Sequence, residues 1–143
     1  MARQARELKG GAVVLDSQGL SKLVEGDRIE ARRWQRARAE GMRIVASTLT
    51  VVEVRHARVR EAQLNWYLSA IKLVPVSAEI AGQASTLLLN AGLHGHRYAI
   101  DAVVAATALD QPGAVMLVTS DVDDMTKLCA DHQRTAPFKI VGI

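Results

Sequence analysis

The chain is poor in the residues that mark several common functional classes. Its single cysteine, Cys129, cannot close an internal disulfide, and without a Cys/His cluster there is no spacing suited to zinc. Aromatic residues make up 3% of the chain, too few for a stacking platform that would hold single-stranded bases. No apolar run approaches the length of a membrane span. The opening MARQARELKGG is charged without an apolar stretch, so it does not read as a secretory signal. GxGxxG, the Walker lysine motif, GxSxG and CxxC are all missing, which removes the usual support for nucleotide cofactors and covalent serine chemistry. The expectation is a soluble, cytoplasmic protein in a reducing compartment that uses hard oxygen ligands if it holds an ion.

What is present suits one compact domain. At 143 residues and 49% hydrophobic, the chain can bury a substantial core but is too short for two ordinary domains. Residues 1–10 read as a short N-terminal extension and 11–143 as the domain. The net charge of +3 hides an asymmetry. Residues 1–72 carry 14 Lys and Arg against 8 Asp and Glu, while residues 73–143 carry 4 against 7. That pattern fits a phosphate-bearing substrate lying over an acidic site, and equally fits solvated basic helices.

Apolar runs at Gly11–Leu15, Arg43–Ala46, Lys72–Val76, Val115–Thr119 and Phe138–Val141 read as strands. Pro75 places the third at an edge or a strand end. Between them, helices are expected over Ser17–Glu25, Ile29–Glu40, the stretch after Ser47-Thr48, Gln63–Ala70, Ala78–Ala91, Tyr98–Leu109 and Val122–Ala130, with GLHGHR as a loop. Strands alternating with helices predict an α/β fold with a mostly parallel central sheet flanked by helices on both faces. Ligand sites in such sheets lie beyond the carboxyl ends of the strands.

Five carboxylates, Asp16, Glu53, Asp101, Asp121 and Asp124, sit where hydrophobic elements start, stop or are interrupted. Asp16 and Asp121 directly follow strands, so a parallel sheet brings both to one rim. Each also suits a plain structural role: Asp16 as an N-cap, Asp121 with Asp124 as a capping box. Glu53 and Asp101 are harder to explain that way. Glu53 is flanked by Val51, Val52 and Val54, and Asp101 lies within YAIDAVVAATAL, so an inward-facing carboxylate is expected at both. Carboxylates are costly among apolar residues unless a cation or hydrogen bonds satisfy them, and a shared divalent metal is the simplest common cause. Asp123 falls on another helical face and is expected to meet solvent.

Other candidates are weaker. His94 and His96 form an HxH without a third ligand nearby. Arg28, Arg32 and Arg36 make an i, i+4, i+8 stripe that reads either as a phosphate track or as a solvated face, with Arg33 and Arg38 elsewhere on the helix.

In this order and spacing, the blocks AVVLDSQGL, STLTVVEVRHA, YAIDAVVAATAL and LVTSDVDDMTKL resemble the PIN-domain ribonucleases, in particular the VapC toxins of bacterial toxin–antitoxin pairs. The resemblance covers nearly the whole chain. It implies that Asp16, Glu53, Asp101 and Asp121 form a catalytic metal pocket, with Asp124 an outer or second-metal ligand and Thr119 and Ser120 as supporting polar groups. Family members often carry asparagine at the position of Asp121, which leaves direct and water-mediated metal contact both open there. The implied activity is hydrolysis of RNA with Mg²⁺ or Mn²⁺ and no organic cofactor. The implied partners are RNA, a second copy of the chain and a cognate VapB-like antitoxin. The rival readings are a non-catalytic PIN-like RNA-binding or interaction protein and a receiver-like phosphoacceptor. The latter calls for an adjacent acidic pair after the first strand, whereas Ser17 follows Asp16.

Overall fold

The computed structural model describes residues 10–143, so the expected extension lies outside the described residues except for Gly10. Five strands alternate with seven helices: β1 (Ala12–Leu15), α1 (Ser17–Val24), α2 (Arg28–Ala39), β2 (Arg43–Ser47), α3 (Thr48–Val54), α4 (Glu61–Leu68), β3 (Lys72–Val74), α5 (Ala78–Ala91), α6 (Gly95–Leu109), β4 (Val115–Thr119), α7 (Val122–Cys129) and β5 (Phe138–Gly142). The strand order is β3-β2-β1-β4-β5, and every pairing is parallel.

The central strands are apolar on both faces because helices cover both. In β1, Ala12 and Val14 join a core with Leu117 of β4 and the buried faces of α5, α6 and α7. Val13 and Leu15 point the other way, into a core with Leu20, Leu23, Trp34 and Leu64 from α1, α2 and α4. Each core side chain of this size contributes roughly 1.5–3 kcal/mol of burial free energy, so the two-sided β1 is the most heavily buried strand. The rings of Trp34 and Tyr67 meet edge to face with centroids 5.0 Å apart, pinning α2 to α4. Pro75 does mark a sheet edge: β3 is the outermost strand and stops at Val74, short of the expected Val76.

α6 begins at Gly95, three residues earlier than its apolar pattern suggested, so the second half of GLHGHR is helix and not loop. Gly92 closes α5 in the left-handed conformation at φ +66°, and the Leu93 N–H returns to the Leu88 carbonyl at 3.1 Å. That tight closure leaves His94 as the N-cap residue and Tyr98 donating its N–H to the His94 carbonyl. Ala102–Leu109 is then buried without interruption, the small side chains letting α5 pack closely.

The chain builds β1, β2 and β3 outward in one direction and then crosses back to place β4 on the other side of β1. The strand order therefore reverses between β1 and β4, the place where open parallel sheets form a crevice at their carboxyl ends.

Candidate active site

Asp16 leaves β1 directly into that crevice. It caps α1, its Oδ1 accepting the Gly19 N–H at 2.9 Å, and it is only 4% exposed. Its Oδ2 accepts the Ser120 N–H at 3.1 Å, across the reversal point. The N-cap role is thus real, but it occupies one oxygen while the other ties β1 to the end of β4.

Asp121 stands at the N-cap position of α7 without making a side-chain cap bond. Its own N–H donates to the buried Thr119 Oγ1 at 2.9 Å, so Thr119 fixes the turn and the Asp121 carboxylate stays uncommitted. The expected capping box with Asp124 does not form at Asp121. Asp124 lies one turn into α7, half-buried, while Asp123 between them is exposed as expected.

Glu53 and Asp101 come from the two helices flanking the crevice. The expectation of an inward Glu53 needs correction: α3 ends at Val54, which takes the core position, and Glu53 is exposed at the rim. Partial burial still raises the proton affinity of its carboxylate, the nearby Ser17 hydroxyl opposes that rise, and Asp16 and Asp121 add to it. Asp101 is half-buried in the second turn of α6. Desolvation pushes its carboxyl up to about 6, and Asp121, Asp124, Asp16 and Glu53 each push in the same direction. Asp121 is raised by desolvation and then by Asp16 and Asp124. Acids drawn from four separate stretches of sequence therefore act on one another through space, and Asp101 senses all the others.

The PIN-domain family model matches residues 13–130, from β1 to the residue after α7, and so encloses all five acids. The chain belongs to the PIN-domain family. Among solved structures, this PIN domain is similar to a chain of VapBC2 from Rickettsia felis bound to a DNA fragment from their promoter. The identity is 15%, the TM-score 0.64, and the match covers 90% of this chain and 98% of that one. It is also similar to a chain of a toxin–antitoxin complex from Klebsiella pneumoniae, at 23% identity and a TM-score of 0.60, covering 84% of this chain and 92% of that one. No curated protein matches the chain.

The donors at the rim of this PIN domain are all carboxylate oxygens, the set that suits Mg²⁺ or Mn²⁺, and their mutual repulsion is of the kind a divalent cation relieves. Among the described residues, however, no three His, Cys, Asp or Glu side chains close around one point tightly enough to grip an ion. Asp16, held by two N–H groups, is the fixed member of the set.

The α2 arginines do not join this group. Arg32 and Arg36 line a groove with Val13, Met42 and Met116, towards the amino ends of β1, β2 and β4 and away from the acids. Arg36 also pairs with Glu40 at 3.0 Å, and Arg28 is exposed at the start of α2. Two features of the rim went unread in the sequence. Ser17 supports Glu53, a role its place beside Asp16 could have suggested. The RHARVR stretch that follows Val54 lines a groove against α1 with basic side chains.

Proposed function

We propose that this PIN domain is a metal-dependent endoribonuclease, the toxin of a toxin–antitoxin pair, working as a cytoplasmic homodimer and held inactive by a cognate VapB-like antitoxin. The observation that carries the reading is Asp101, whose carboxyl is pushed up to about 6 by burial and by Asp121, Asp124, Asp16 and Glu53 together. Perturbed carboxylates gathered in a crevice are a mark of functional sites. Similarity to chains of two toxin–antitoxin complexes supports the partner.

In this reading Asp16, Asp101 and Asp121 hold Mg²⁺ or Mn²⁺, Asp124 lies outside them, and Glu53 orients the attacking water as general base. When bound, the ion supplies Lewis-acid activation of water and neutralises charge on the phosphate. The Ser17 hydroxyl lies beside Glu53 and favours its charged form, and the Thr119 hydroxyl holds the backbone turn that presents Asp121. No organic cofactor is needed for the hydrolysis.

The test is RNA cleavage by purified wild type and Asp101→Asn, with Mg²⁺ and with excess EDTA. Cleavage confined to wild type with metal is expected. Full cleavage by the variant sinks the assignment of Asp101, and equal cleavage in EDTA sinks the metal. The acids' failure to close into a three-ligand set favours a second reading, a non-catalytic PIN-like protein that grips RNA or a partner. RNA binding without cleavage under any divalent ion would decide for it.

A further inference from the structure

We propose that the groove between α1 and the loop following α3 holds the RNA phosphate that flanks the scissile one, with Arg58 and Arg60 as its ligands. The proposal rests on the ribonuclease reading above. The groove has a volume of about 360 Å³ and is walled by Ser21, Val24 and Glu25 on one side and His56, Arg58, Val59 and Arg60 on the other.

Both walls continue elements that build the acidic rim. Ser21 lies one turn along α1 from Ser17, and His56 lies three residues after Glu53. α1 and α3 pack against each other, with Ser17 beside Glu53 at their near end. The groove thus runs away from the rim by one to two helical turns, about 5–11 Å. A nucleic-acid strand whose reacting phosphate sits among the acids reaches it with a neighbouring phosphate.

The charges in the groove support an anion. Arg55 is neutralised by Glu61 at 2.5 Å, but Arg58 and Arg60 form no ion pair among the described residues, and both are exposed. The loop itself is held: the Val59 N–H donates to the His56 carbonyl at 3.0 Å and the Arg58 N–H to His56 Nδ1 at 3.2 Å. The imidazole therefore keeps Nε2 as its donor. Glu25 is the one acid in the lining, against two guanidinium groups.

A cationic anchor at this distance answers a physical need. The rim repels a polyanion, and the opposing attraction must act within a Debye length, about 8–10 Å at ordinary ionic strength. Arg32 and Arg36 lie towards the far ends of the strands, roughly 10–17 Å of chain from Asp16 and Asp121, where salt weakens their pull. Arg58 and Arg60 lie in the segment that follows Glu53 and line the groove directly.

The experiment measures binding of a single-stranded RNA oligonucleotide to Asp101→Asn chains, so that no cleavage occurs, by fluorescence anisotropy across a salt series. Adding Arg58→Ala and Arg60→Ala should weaken binding on the order of tenfold at moderate salt. It should also flatten the log–log salt dependence by about 1.4, two lost contacts on a single strand. Arg58→Lys with Arg60→Lys should bind within about twofold of the parent, since a backbone phosphate asks for charge before shape. In the otherwise wild-type chain, the alanine pair should raise KM with little change in kcat. Binding and salt slope unchanged by the alanine pair, while wild type still cleaves RNA, overturn the groove and leave the ribonuclease reading standing. A lysine pair as weak as the alanine pair overturns the phosphate assignment. A wild-type chain that neither binds nor cuts RNA overturns both.

Discussion

The two ends of the sheet solve opposite problems. At the amino end the backbone is pinned: the Ala12 N–H donates to the Ala114 carbonyl at 2.8 Å and the Arg43 N–H to the Gly11 carbonyl at 3.0 Å. The Arg43 guanidinium also holds the Pro112 carbonyl at 2.8 Å. At the carboxyl end, carboxylates gather and repel one another, with Asp16 tied down by two backbone N–H groups. One end is built for stability and the other accepts repulsion that only a ligand can relieve, the usual trade between fold and function. This polarity runs along the strands, not along the chain. The basic first half and acidic second half of the sequence do not map onto it, because Asp16 and Glu53 come from the basic half.

The comparison is broken most severely by removing an acid that the rim depends on. Asp101→Asn should reduce Mg²⁺-dependent RNA cleavage by on the order of 10²–10³-fold or more while far-ultraviolet circular dichroism stays native. Retained cleavage would make the carboxyl end as structural as the amino end.

Next in size is a change at the pinned end. A Cβ on Gly11 would overlap the carbonyl oxygen of Ala114, which is backbone and cannot swing aside. Gly11→Ala should cost about 2–3 kcal/mol in urea unfolding, with any folded fraction keeping its specific activity. A neutral result would mean that the β1–β4 start is not the rigid end.

A smaller effect has the opposite sign. The Asp101 carboxyl is raised from 3.8 to about 6, so the folded state binds this proton more tightly than the unfolded chain does. Its contribution is therefore fully present below about pH 4, declines as pH rises towards 6, and stays lost above that. Asparagine cannot ionise. Metal-free Asp101→Asn should be more stable than wild type at about pH 7.5 by roughly 1 kcal/mol, after allowance for solvent screening of a half-buried group, and the difference should vanish near pH 4. Mg²⁺ should raise the melting temperature of wild type and leave that of the variant nearly unmoved. A gap that ignores pH would rule out charge as its origin.

The smallest effect sharpens the contrast within α7. Asp123 is exposed between Asp121 and Asp124, so Asp123→Asn should leave cleavage within about twofold and stability within about 0.5 kcal/mol. A large loss there would show that acidity in general, not the facing of particular acids, matters at this end.

Much of this was legible in the sequence because local patterns carried it. Continuous apolar runs marked the strands, the acids after β1 and β4 marked the rim, and Pro75 marked the edge. Non-local geometry was not legible. Only the crossover that sets β4 beside β1 puts Asp16 against Ser120, and nothing in either stretch encodes that order. Glu53 misled because its valine neighbours suggested burial, whereas a short helix gave its one core position to Val54. The start of α6 was missed because the left-handed closure at Gly92 shortens the connection in a way that apolar periodicity does not record. No described helix is long and apolar enough to cross a membrane.

The two bonds of Asp16 also bear on timing. One partner, Gly19, is made almost at once, but the other, Ser120, lies 104 residues further along the chain. Synthesis runs from the amino terminus, so the first carboxylate waits unclamped until β4 has emerged and docked beside β1. Asp121 and Asp124 arrive with that same late segment. On the ribonuclease reading, a chain still on the ribosome is chemically silent towards the message that encodes it.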